Sequence, residues 1–297
     1  MRAVVKGALL VAAALLLASP AGAEWVEWIA DAGLAFEWDD NVNRSAFDAD
    51  EVSDFRWRPA VRGGRIYQLT DHTRLSFAAE LEGALYHDWD GLNHFRAGGT
   101  AAVLHKFGTG PNVPTLRFHG TVGYLGISDH ERSSVLYEAG IQLAKRFSPR
   151  FDAAIDVLYS DRDGRNGTVV VPTLGTDVWD QANVEVGAVG NFLITPQILA
   201  SVGYRYRDGE FDSACTPGNV ATVFAREGSN VEAIAIDDVF GGCVYRLDGH
   251  MHGALVNLSY GLSDHLSVDL GYRFQHGKAR SLAYDTNIVT LSLLFRY

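Results

Sequence analysis

The sequence predicts an all-β protein: one twelve-stranded antiparallel transmembrane β-barrel, with short turns at one rim and longer loops at the other. Three observations carry that expectation. Apolar and polar residues alternate with a period of two through most of residues 24–297, as strands with one apolar face require. Tight turns and longer connections follow each other in strict alternation. The chain also ends in a strand, with Val289, Leu291, Leu293, Phe295 and Tyr297 set against Thr290, Ser292 and Arg296, and only Leu294 out of phase. A half-apolar terminal strand frays or aggregates in water, whereas one that closes a cylinder in lipid has all its backbone groups paired.

The elements follow in order. The first strand sets Ala30, Ala32, Leu34, Phe36 and Trp38 against Asp31, Gly33, Ala35 and Glu37. In the second, Phe55, Trp57, Val61, Tyr67 and Leu69 oppose Arg56, Arg58, Arg62 and Gln68. The third has Leu75, Phe77, Ala79, Leu81 and Leu85 against Ser76, Glu80 and Glu82, and the fourth Phe95, Ala97, Val103 and Phe107 against His94, Arg96 and Thr100. Strands five to seven oppose Phe118, Val122 and Tyr124 to Arg117 and His119; Tyr137, Ile141 and Leu143 to Glu138 and Gln142; and Ile155, Val157 and Tyr159 to Asp152 and Asp156. The eighth reads from Val178 through Val184 and Val186 against Gln181, Asn183 and Glu185; the ninth sets Val202, Tyr204 and Tyr206 against Arg205 and Arg207. The tenth ends Ala254, Val256, Leu258, Tyr260, and the eleventh sets Val268, Leu270 and Tyr272 against Asp269 and Arg273. Pro59 breaks a ladder bond inside the second strand, so a bulge is expected there.

The exceptions fall at the ends of strands. Arg65, His105 and Lys145 share the apolar parity near the short turns, and His87, Asp180 and Asp285 do so near the long loops. Charge facing lipid is tolerated at the interface and costly at mid-bilayer. Aromatics gather at both ends as well: Phe107, Phe147, Phe151 and Phe192 at one, Trp57, Phe95, Tyr204 and Phe274 at the other. Such girdles mark membrane boundaries.

At the N-terminus, Arg2 and Lys6 precede the apolar stretch Ala8 to Leu17, and Ala21-Gly22-Ala23 offers a cleavage site. Residues 1–23 read as a secretory signal peptide and 24–297 as the barrel. The formal charge is −11, and losing Arg2 and Lys6 moves it to −13, which argues against nucleic acid as a partner. Cys215 and Cys243 are expected to pair in an oxidising compartment, with metal binding the weaker reading. The segment between them holds Phe224, Val231, Ile234, Ile236 and Phe240, too apolar for a free loop, and is expected to pack over or into the barrel mouth.

The polar parity supplies the candidate pore lining: Arg56, Arg58, Arg62, Glu80, Glu82, Arg96, Arg117, His119, Glu138, Asp156, Glu185, Arg205, Arg207, Asp269 and Arg273. Opposed charges there either select solutes or form a salt-bridge network that stiffens the wall. Arg56, Arg58 and Arg117 read as the least paired; the expected cross-strand neighbours of Arg56 and Arg58, Ala84 and Tyr86, offer no counter-charge, and Arg96 faces the same Ala84 from the other side. They predict a weak preference for anions. The outer loops are acidic, and carboxylate pairs such as Asp39 and Asp40 suit divalent cations bridging to lipid phosphates. No metal or cofactor site is expected, since no His-x-x-x-His pair or complete calcium loop is present.

The terminal strand, ending on Phe295 and Tyr297, resembles that of Gram-negative outer-membrane β-barrels, whose assembly machinery reads it. That resemblance implies an outer-membrane location with periplasmic termini, among lipid and lipopolysaccharide. The run Trp38-Asp39-Asp40-Asn41-Val42-Asn43-Arg44 resembles stretches in porin-like barrels and in barrels of surface-lipoprotein assembly factors. The expected function is a narrow passive channel for small hydrophilic solutes. The alternatives are an outer-leaflet lipid-modifying enzyme, for which His87 beside Asp88 is the only lipid-facing histidine at the right level, and a non-conducting surface-binding or assembly barrel.

Overall fold

The computed structural model describes residues 24–297; the expected signal peptide lies outside the described residues. Thirteen strands form one antiparallel sheet: β1 (Glu24–Asp39), β2 (Asp54–Thr70), β3 (Thr73–Tyr86), β4 (His94–Lys106), β5 (Thr115–Ile127), β6 (Ser134–Ser148), β7 (Phe151–Gly164), β8 (Gln181–Thr195), β9 (Ile198–Cys215), β10 (Val231–Asp237), β11 (Gly242–Gly261), β12 (Leu266–Lys278) and β13 (Ala283–Arg296). Neighbours in sequence pair around the cylinder, β11 pairs back to β9, and β1 pairs with β13. The wall is therefore a closed barrel of twelve strands, and β10 is an extra strand above it. Closure leaves no edge in the wall, which lipid demands.

The parity assignment holds through the wall. Trp57, Val61, Leu81, Phe118, Ile155, Val202, Val256, Leu270 and Leu291 are all exposed on the outer face. Ion pairs that skip a strand mark the concave face: Arg96 on β4 reaches Glu138 on β6, and Arg205 on β9 reaches Asp156 on β7. The basic exceptions sit against aromatics at the short-turn rim, Arg65 over Trp25 and Trp28, and Lys145 over Phe147.

Four expectations change. No register shift occurs at Pro59, which lies opposite Leu34 on β1 while the β2–β3 register is the same on either side of it. The missing N–H drops a bond without inserting a residue. Val178 is not in a strand: β8 begins at Gln181, and Val178 is fully buried in a core above the wall. The connection between β12 and β13 is only 279–282, as short as the turns at the opposite rim. The segment from Asp208 to Asp248 is largely regular structure, because β9 and β11 stay paired up to Cys215 and Cys243.

That upper extension carries its own core. In the wall, the apolar side chains of β9 and β11 face lipid, as Tyr204 and Val256 do. Above it the apolar side chains switch to the lumen parity, where Phe211, Cys215, Cys243, Tyr245 and Leu247 are buried with Val223, Val231, Ile234, Leu282 and Tyr284. Gly209 and Gly249, directly paired, stand at the switch. Gly209 has φ +133°, and a Cβ on either would lie 2.4 Å from a neighbouring carbonyl oxygen, so neither position admits a side chain. Helix α1 (Val220–Glu227) contributes Val223 to this core, and Val178, Trp179, Ala233, Ala235 and Val244 form a second one.

Candidate functional site: a charged lumen beneath a folded cap

Ten of the fifteen charged and histidine positions picked out by parity are joined in ion pairs, some of which reach across an intervening strand on the concave face. Arg62 faces Glu80 in register, 3.6 Å apart. Glu80 also accepts from Thr100, which bonds Thr121. Arg96 pairs with Glu138 at 3.1 Å, and Arg205 with Asp156 at 3.2 Å and Glu185 at 3.7 Å. Arg207 donates to the Glu210 carbonyl. Asp269 is buried, with one carboxylate oxygen lacking a partner among the described residues.

Arg56 and Arg58 are not free of counter-charge. Both bind Glu37 of β1, Arg56 through a short hydrogen bond and Arg58 at 3.1 Å, and Arg58 also holds Glu82 at 2.7 Å. Tyr86 adds its hydroxyl to Arg56. On the β3 side stand Tyr86 and Ala84, without counter-charge, but on the β1 side the register brings Glu37 opposite Arg56. Glu37 is fully buried and also accepts from Thr290. Its place on the polar parity of the first strand was the available signal.

Three arginines of this set, Arg117, Arg207 and Arg273, have no ion pair with an acid among the described residues, and Arg207 bonds only the Glu210 carbonyl. Arg117 faces Leu104 and Gln142 across its two ladders, and no ion pair holds it among the described residues. Arg273 faces Leu255 and Ile288 across its two ladders, and no ion pair holds it among the described residues. His119 lies flat against Gly140, where a Cβ would come within 2.4 Å of the imidazole. A cavity of about 230 Å³ opens beside Asp31, Arg62, Glu80, Glu82, Arg96 and Leu294.

Above this lumen the 216–242 segment forms a cap, with Cys215 and Cys243 disulfide-bonded at its base as adjacent partners in the β9–β11 ladder. The cap touches every other connection at that rim. Ala214 donates to the Asn43 carbonyl, and Asp50 accepts from Thr216 and Asn219. Phe240 packs on Trp89, with ring centroids 4.8 Å apart, and Arg132 pairs with buried Asp237 at 2.6 Å. Ile234 and Ile236 donate to the carbonyls of Gly175 and Thr168. Fully buried Glu227 accepts from the amides of Arg280, Ser281 and Leu282. A segment anchored to loops all round the rim lies across the mouth.

Electrostatics outside the wall follow these contacts. Burial raises the Glu227 pKa, but the Ser281 and Leu282 amides and Asn230 outweigh it and hold the carboxyl below its usual value. Burial also works against the Arg44 charge, and the ion pair with Asp39 more than offsets it, leaving the guanidinium above its ordinary value. Burial pushes the Tyr245 hydroxyl up to about 12, although it accepts from Ser213. Near the β3–β4 loop, His87 bonds Asp88 at 2.9 Å, and buried Asp54 accepts the amides of Asp88 and Trp89.

No family model matches the chain, and no curated protein matches it. Solved structures do. The NanC porin aligns with a TM-score of 0.50 at 7% identity, over 90% of this chain and all of that one. An outer membrane channel from Pseudomonas putida F1 aligns with a TM-score of 0.51 at 11% identity, over 94% of this chain and all of that one. The fold is a closed antiparallel barrel like those of these outer-membrane channels. At such identities the likeness speaks for the architecture and for nothing finer.

Proposed function

We propose that this barrel is a narrow passive channel for small hydrophilic solutes, set in the outer membrane of a Gram-negative bacterium. On this reading residues 1–23 direct export, the short turns and both ends of the barrel face the periplasm, and the capped rim faces outward among lipopolysaccharide. The barrel-assembly machinery reads the terminal strand through Phe295 and Tyr297. The observation that supports the reading is the charged interior: the inner face carries ion pairs along the wall instead of apolar side chains, a lining that suits a water path better than an apolar core would.

The lumen pairs leave arginine in excess, and the excess sits at Arg117, Arg207 and Arg273, not at Arg56 and Arg58. Low-dielectric walls focus the field of such charges, whereas the acidic outer loops lie in bulk water and are screened within about 8–10 Å at physiological salt. The channel therefore prefers anions weakly. Single-channel recording in planar bilayers tests both parts. Stepwise conductance is expected, with a reversal potential in a salt gradient that moves toward cations in the Arg117→Glu, Arg273→Glu double variant. Silence in the bilayer from correctly folded protein would overturn the channel, and indifference to the double change would remove these two arginines from the path.

A further inference from the structure

Arg65 stands on the outer, lipid-facing parity of β2 close to the short-turn rim, opposite Trp28 on β1 and Phe77 on β3. Its guanidinium lies 4.3 Å from the Trp28 ring centroid and 4.9 Å from that of Trp25. A β-bulge between Trp25 and Glu27 makes this possible, because it puts both indoles on the same face despite their spacing of three. Among the described residues Arg65 has no hydrogen-bond acceptor and no ion pair, and its Nε is buried without a partner. An uncompensated cation on a membrane-facing surface is costly unless a counter-charge comes from the membrane itself. Two indoles fix the planar fork, so little ordering remains when a bidentate oxyanion binds it. The other lipid-facing cation near this rim, Lys145, leans on one ring only, Phe147.

We propose that Trp25, Trp28 and Arg65 form a binding site for the phosphate of a phospholipid headgroup in the leaflet at the short-turn rim. Arg65 supplies the charge and the paired donors, and the indoles hold it in place and seat against the glycerol region. The site is independent of whether the barrel conducts.

The test is native mass spectrometry of the detergent-purified barrel titrated with phosphatidylglycerol. The wild type is expected to retain one lipid more tightly than the rest. Arg65→Gln should weaken that lipid by about tenfold, the scale of one charged hydrogen-bonded contact. Arg65→Lys should recover part of the loss, Trp28→Ala should lose an intermediate amount, and Arg296→Gln, at the same rim but paired with Asp31, should lose none. Heat-modifiable migration of each variant on gels shows that the barrel has formed. Equal retention by folded Arg65→Gln, equal binding of phosphate-free diacylglycerol by the wild type, or displacement of the phospholipid by lipopolysaccharide would each overturn the assignment.

Discussion

Glu37 is the side chain on which the upper lumen turns. It is buried, it neutralises Arg56 and Arg58 together, and it belongs to the strand that closes the barrel against β13. Glu37→Gln leaves two adjacent guanidinium groups without their shared acid. The variant is expected to lose stability on the order of 3 kcal/mol, the cost of breaking a buried pair from one side. Its reversal potential in a salt gradient should move toward anions, and a shift toward cations would contradict the arrangement. Glu227 plays the same part in the cap. Its folded pKa is depressed, so its stabilisation is present above the ordinary carboxylate value of about 4.3 and is lost as pH falls through the lower folded value. Protease sensitivity of the cap should thus rise on acidification, and Glu227→Gln should show that sensitivity already at neutral pH.

At the level of elements, the decisive feature is the hairpin that β9 and β11 send above the membrane. Its disulfide joins strands that are already paired, so it constrains the unfolded chain more than it shapes the folded one, with a contribution of about 3–4 kcal/mol for a closed loop of this size. Replacing Cys215 and Cys243 with serine should raise cleavage within 216–242 and increase conductance, while the wall stays intact. Unchanged digestion would show that the two cores and the rim contacts hold the cap by themselves. The hairpin tip depends on Arg132, which is buried against Asp237 and stacked on Trp179. Arg132→Gln strands a buried carboxylate, and about 3–5 kcal/mol of local stability should go with it. Hydrogen exchange confined to residues near 237–242 would register the loss.

The whole molecule is a closed cylinder, and closure is its most demanding requirement. The β1–β13 ladder runs from Asp31 opposite Arg296 to Asp39 opposite Ile288, and Tyr297 adds one more bond from its amide to the Ala30 carbonyl. Deleting Tyr297 removes that bond and the terminal aromatic. Unfolded protein in the periplasm is the expected result, measured by the loss of the heat-modifiable band from outer-membrane fractions. A normal band would show that the last residue is dispensable for both closure and recognition.

The sequence by itself determined the wall. A period of two over long strands and girdles of aromatics are local signals, since a barrel strand meets lipid on one side and the lumen on the other wherever it runs. Only the tertiary structure decided the partners and the make-up of the cap. Glu37 and Arg56 lie only 19 residues apart on consecutive strands, but which neighbour neutralises an arginine depends on register with both adjacent strands. The same limit hid the Arg65 clamp, because a bulge in β1 reset which residues share its face. That an apolar segment pinned by Cys215 and Cys243 packs at the barrel mouth was legible too; its strands, its two cores and its anchors were not. Above Gly209 and Gly249 the large apolar side chains move to the inner parity, because there the inner face is covered by the cap, while Val244 and Arg246 on the outer parity are buried against the β7–β8 connection. Parity records that a side chain is buried but not what buries it, and that depended on loops from the whole rim meeting over one mouth.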